Sequence, residues 1–221
     1  MNTGLAALRS ALAASAQPER APAMRAYMRE QFAFLGVPTP ARRKASASFI
    51  REAAGLDATA LLALAQALWA QPEREFQYVA VDLLDKHGKQ LDADSLPALE
   101  ALASSKPWWD TVDGLASWVV GGLVHRHRKL QARMDQLAGV RDHWLRRVAI
   151  LHQLGWKQDT DSRRLFHYCA ANAADTEFFI RKAIGWALRE YAYTDADAVR
   201  VFVTHTPLSP LSRREALKHL T

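Results

Sequence analysis

Cysteine is nearly missing from this 221-residue chain: Cys169 stands alone. A single thiol excludes an internal disulfide framework and a cysteine-rich zinc site, and it fits a reducing, cytosolic compartment. Within FHYCAAN it reads as a buried small hydrophobe. Glycine is also scarce, with 10 residues, which argues against a loop-rich or all-β fold. No apolar run is long enough to cross a membrane. The longest, LLALAQALWA (61–70), falls well short of the roughly 20 residues a spanning helix needs. The N-terminal LAALRSALAASAQ imitates a secretion signal, but no basic region precedes it and Arg9 interrupts it. It is better read as an amphipathic first helix.

Familiar catalytic signatures are missing too. There is no HExxH, no pair of cysteine clusters and no G-x-S-x-G. VVGGLV (119–124) lacks the preceding strand and the Gly-Lys-Ser/Thr of a phosphate loop. His125 and His127 lie two apart in HRHRK, so on a helix they diverge by about 200° and cannot share a metal from one face. Neither a metal nor a cofactor is expected.

What the chain does contain is helix. Hydrophobic residues make up 49% and charged residues 24%, ordinary for a folded globular protein, and alanine and leucine are abundant. A period near 3.6 predicts helices at about 4–16, 22–34, 40–54, 58–70, 73–87, 95–103, 108–127, 130–136, 140–154, 161–172, 176–191, 195–203 and 210–219. Between them lie punctuating stretches such as PTPARR, KHGKQLDADS and THTPLSP. No linker is long enough to divide the chain, so one domain over 1–221 is expected.

The helices also repeat. EFQYVAVDLL, WDTVDGLASW, WLRRVAILHQ and FIRKAIGWAL align so that Ala80, Gly114, Ala149 and Ala183 recur at spacings of 34, 35 and 34. A small residue at a fixed position lets a partner helix approach closely, and helix pairs of this period stack into a solenoid of the HEAT kind. In one repeat frame Arg147 falls on the position of Val112 and Trp186 on that of Ser117. With Trp109 and Asp113 these form a stripe at i, i+3, i+4 and i+8, one helical face. A core role is the ordinary fate of a tryptophan, and Trp108 and Trp118 are expected in the core. The shared stripe moves Trp109, Asp113, Arg147 and Trp186 to the functional side.

Net charge is +6 with a pI near 9.7. Between Arg126 and Arg147 seven basic residues face two acidic ones, the footprint of a polyanionic partner. Arg126 and Arg128 belong to this zone. Arg42, Arg43 and Lys44 open a helix in TPARRK, where free backbone N–H groups add to their attraction for phosphate. Arg147 stands apart as a fork able to hold a phosphate bidentately.

With WWDTVD (108–113), WLRRVAILHQL, FFIRKAIGWALREYA, MREQFAFLGVPTPARRK and REFQYVAVDLL in view, the sequence resembles the DNA alkylation repair family, the AlkD-type DNA glycosylases, over roughly 24–195. The resemblance implies an all-α, right-handed superhelical solenoid of HEAT-like repeats with a concave basic groove for double-stranded DNA. It implies excision of N3- and N7-alkylated purines without base flipping. The family's catalytic aspartate falls on Asp113, its cleft tryptophans on Trp109 and Trp186, and its cleft arginine on Arg147. Where the family usually has proline, this chain has Ala33, a packing difference. A monomer acting in the cytoplasm is expected. The alternatives are a non-catalytic HEAT-like scaffold for DNA or protein, and a relative that recognises branched or damaged DNA without cutting it.

Overall fold

The computed structural model describes residues 2–220, with side chains from Gly4 onward; residues 1 and 221, the two ends of the expected domain, lie outside the described residues. The chain is helical throughout, and among the described residues no strand forms beyond an isolated bridge between Ala33 and Glu73. It divides into two compact units, Met1–Ser95 and Leu96–Thr221, each described by itself.

The first unit contains α1 (Asn2–Ala14), α2 (Ala21–Tyr27), α3 (Thr39–Glu52), α4 (Ala58–Trp69) and α5 (Arg74–Lys86). The periodicity predicts one helix over 22–34, but α2 stops at Tyr27. Arg29 and Glu30 take positive φ values of 53° and 57°, which no helix accommodates. The chain beyond them is tied down by Glu75. Its buried carboxylate accepts the backbone N–H groups of Leu35, Gly36 and Val37 at 3.1, 2.9 and 3.1 Å. The resulting set of charge-assisted bonds takes the place of a helical turn. Gly36 is required there: its φ is +85°, and a Cβ would sit 2.2 Å from the Gln17 carbonyl oxygen.

The second unit contains α6 (Leu96–Ser104), α7 (Trp109–Gly114), a π-helical segment (Leu115–Val120), α8 (Gly121–Arg126), α9 (Gln131–Leu137), α10 (His143–Leu151), α11 (Ser162–Ala171), α12 (Phe178–Ala192), α13 (Ala196–His205) and α14 (Pro210–Leu217). Side-chain caps mark many of the starts. Asp142, Asp161, Asp195 and Ser209 each accept a first-turn N–H of the helix that follows, the usual reason a helix begins at Asp or Ser. Helix α10 is central, packing against α6, α7, the π segment and α12. The repeat-position small residues Ala80, Gly114, Ala149 and Ala183 are all buried, each in its own helix, and Cys169 is fully buried.

Gly121 shows how close the helices come. A Cβ on it would lie 2.3 Å from the main-chain oxygen of His152, which no side-chain rotation relieves. Gly121→Ala is expected to force the α8 and α10 backbones apart and to cost about 1–3 kcal/mol, read as a lower denaturation midpoint in urea at an unchanged slope.

Candidate active site

The site is built on the helix that runs from Trp109 to Arg126. Lys106 has positive φ (47°) and Trp108 is extended, with its carbonyl accepting the N–H groups of Thr111 and Val112 at 3.2 and 3.0 Å. Trp108 is half-buried against Trp144 and Phe179, with ring centroids 5.9 and 5.1 Å away. This aromatic group anchors the start of the helix. One turn in, Trp109 and Asp113 share its open side, both half-buried.

Asp113 and Arg147 form a two-pronged ion pair. Arg147 Nε donates to Asp113 Oδ1 at 2.6 Å and Nη2 to Oδ2 at 2.8 Å. The third nitrogen, Nη1, donates to the main-chain oxygen of Phe179 at the start of α12. The guanidinium also lies 5.3 Å from the ring centre of Trp186, so three of the four stripe residues form one contact chain. The pair is asymmetric: the Arg147 side chain is 1% exposed, that of Asp113 23%. The acid reaches solvent and the base stands behind it. Burial raises the Asp113 carboxyl above the ordinary aspartate value, while the bonds and charge of Arg147 pull the other way.

This departs from the phosphate clamp expected of Arg147, whose fork is already filled. The cause lies in the repeat. Arg147 occupies the frame position of Val112, and Val112 is fully buried. That position points inward in both copies, so the cation is held inside and coordinates the acid in front of it.

Trp186 has a second cation beside it. Lys182, one turn before it, places Nζ 5.2 Å from its ring centre, within cation–π range. Lys182 is in turn bound to Glu215 at 2.9 Å, and Arg189 reaches the same carboxylate at 3.0 Å. These cations hold the Glu215 carboxyl below its usual range. Helix α14 brings Glu215 so near that a Cβ on Gly185 would lie 2.4 Å from Glu215 Cβ. The sequence reading missed Lys182, Phe179 and Glu215. Only Lys182 left a signal, its spacing of four from Trp186.

The other expected cations separate into two sets. Arg43 and Lys44, in the first unit, and Arg126 and Arg128, in the second, are exposed. Arg128 lies over Trp156, 4.3 Å from its ring centre. Arg42 is turned inward, 7% exposed, with Nη2 on Asp82 at 3.0 Å and the guanidinium over Tyr78 at 4.8 Å. The expectation for Trp118 is corrected: it is 54% exposed, not in the core. Among the described residues no three His, Cys, Asp or Glu side chains gather as a metal site, and no helix is long and apolar enough to cross a membrane.

Of the four residues that the sequence resemblance names, the structure brings Asp113, Arg147 and Trp186 into contact and sets Trp109 one turn before Asp113. The family described as DNA alkylation repair enzyme matches residues 8–220, almost the whole chain. This chain belongs to that family. Among solved structures it is similar to a predicted DNA alkylation repair enzyme from Enterococcus faecalis, 34% identical over 94% of this chain and 97% of that one, with a TM-score of 0.88. It also resembles AlkD2 from Streptococcus mutans, 17% identical over 82% and 90% with a TM-score of 0.63. A second S. mutans structure, smu.31 from strain UA159, is 18% identical over 80% and 94% with a TM-score of 0.62; at that distance both S. mutans likenesses concern the fold alone. No curated protein matches. The family places the chain among enzymes of DNA alkylation repair, and with it comes binding to DNA.

Proposed function

We propose that the protein is a DNA glycosylase that hydrolyses the N-glycosidic bond of cationic N3- and N7-alkylated purines, such as 3-methyladenine and 7-methylguanine, in duplex DNA without base flipping. The observation that carries this reading is the Asp113 carboxylate, held at the open face by the Arg147 fork.

Alkylation at N3 or N7 leaves the purine positively charged. When its bond to C1′ breaks, the electron pair goes to the base, which departs neutral and needs little help from an acid. Positive charge grows on the sugar instead. A fixed carboxylate beside C1′ stabilises that charge and orients the water whose oxygen adds to C1′, taking up the proton the water releases. Burial and the Arg147 fork fix the carboxylate in advance, so little reorganisation accompanies the reaction. Trp109 and Trp186 offer ring faces to the cationic sugar and its C–H edges, worth about 0.5–2 kcal/mol per contact. Phosphates are left to the exposed cations Arg43, Lys44, Arg126 and Arg128, with no cofactor involved.

A scaffold without catalysis is the second reading, favoured by the fact that Asp113 has a full structural partner. The deciding measurement is release of free 7-methylguanine from methylated duplex DNA by the purified protein. Excision that falls steeply with added salt, as phosphate contacts require, is the expected result. Tight DNA binding with no base released would leave the scaffold standing.

A further inference from the structure

From Trp109 to Arg126 the residues that are not buried are Trp109, Asp110, Asp113, Ser117, Trp118, Gly122, His125 and Arg126. An ideal α-helix would continue the open face of Asp113 through the positions four, seven and eight residues on. Position 117 obeys this, but Val120 and Gly121 are buried. Beyond Ser117 the face continues through Trp118, Gly122 and Arg126, each one residue late. The π-helical turn at Leu115–Val120 accounts for the shift, because i→i+5 bonding adds one residue to the turn. The Ser117 hydroxyl donates to the Asp113 main-chain oxygen at 2.7 Å within this turn. The shift moves a large indole out of the core and onto the side of the helix that carries the candidate catalytic acid.

Trp118 is well uncovered there. Its neighbours four residues away on either side are Gly114 and Gly122, neither with a side chain to lean on it. It makes no ring contact with another described residue. Five residues at about 1.5 Å each set it roughly 7 Å along the helix from Asp113, about two base-pair steps of a DNA strand. Arg126, exposed and basic, lies farther along the same face. An exposed tryptophan interleaved with a cation is the composition of a nucleic-acid contact.

We infer that Trp118 is a further DNA-contacting residue, packing its indole against the sugar edges of the strand one to two nucleotides from the one Asp113 acts on. The inference takes from the proposed function the side on which DNA lies. It concerns binding, so it predicts a loss of affinity with little loss of rate at saturation.

The test compares full-length wild type, Trp118→Ala and Trp118→Phe. Three quantities are measured: thermal melting, affinity for an undamaged duplex by fluorescence anisotropy, and single-turnover 7-methylguanine release at limiting and saturating protein. For Trp118→Ala the melting temperature should hold and the Kd rise about tenfold, the loss expected when one indole no longer buries its apolar face on binding. Release should slow by a similar factor at limiting protein and by less than twofold at saturation. Trp118→Phe, which keeps a ring face, should recover most of the affinity. Wild-type affinity in Trp118→Ala overturns the inference. Failure of the proposed function shows differently: wild type would bind the duplex and release no base, while the affinity arm still reports on Trp118.

Discussion

Asp113→Asn is expected to stay folded and DNA-bound while base release slows about 100- to 1,000-fold, the usual loss for one preorganised electrostatic group. Asparagine keeps the shape of the side chain and still accepts one Arg147 N–H. It loses the charge that the sugar cation needs. Because the effect lies in the transition state, it should appear in the single-turnover rate and leave affinity for undamaged duplex unchanged. It should depend on the lesion. A 7-methylguanine already departs readily, so it will be spared relative to a less labile adduct. The acid limb carries a second signature. Burial raises the Asp113 carboxyl above its usual value, and only the ionised form acts. Excision should therefore fall as pH drops through a value above the ordinary aspartate range, and Asp113→Asn should lose that limb. A stably folded Asp113→Asn protein that excises at the wild-type rate would sink the catalytic reading.

Arg147→Ala should fail on two counts. The first is stability: removing the cation leaves the partly buried carboxylate unpaired and the Phe179 carbonyl without its donor. Breaking a buried pair typically costs about 3–5 kcal/mol, and the lower end applies here because Asp113 keeps contact with solvent. A melting point several degrees lower is the readout. The second is protonation. With Arg147 gone, burial acts on Asp113 without opposition, so the acid limb of excision moves to higher pH. Arg147→Lys keeps the charge but loses the planar fork; it should restore part of the stability and part of the pH shift. The salt slope of DNA binding separates this positioning role from a phosphate clamp. A clamp would lower the slope by about one when removed, whereas the buried Arg147 should leave it unchanged.

Much of this site is legible in the sequence, and what escaped has physical reasons. Helix positions follow from apolar spacing, and the stripe arithmetic brings Asp113, Arg147 and Trp186 together from the sequence alone. The same arithmetic sets Arg147 on the cleft wall as a fork for phosphate. Its repeat counterpart Val112 was the warning that the position faces inward. Arg42 misled in the same way, read with Arg43 and Lys44 as one basic run. Its partner Asp82 is 40 residues away, and no local pattern reports such a pairing. The apolar periodicity carries α2 on through 28–34. The positive φ at Arg29 and Glu30 ends it, and the carboxylate that ties down the chain beyond, Glu75, sits on another helix. Trp118 is expected in the core because that is the ordinary fate of a tryptophan, and the π-helical turn defeats the expectation. One extra residue in the turn moves every later side chain by about 100°, and composition carries no trace of it.

The arginine in a valine slot says something about how such a site can arise. A tandem array of similar helices is a set of near-copies of one packing solution. Substituting a single inward residue in one copy, opposite an acid in the preceding one, creates the ion pair proposed here as the reaction centre without remodelling the backbone. The reverse route is equally short. Exchanging both members of a buried ion pair for apolar residues of similar volume is often neutral or stabilising, so a lineage freed from the need for the chemistry can drop it and keep the fold. Relatives of this architecture can thus share the helices and differ in whether they react, and the residues aligned with 113 and 147, read as a pair, are where that difference would be written.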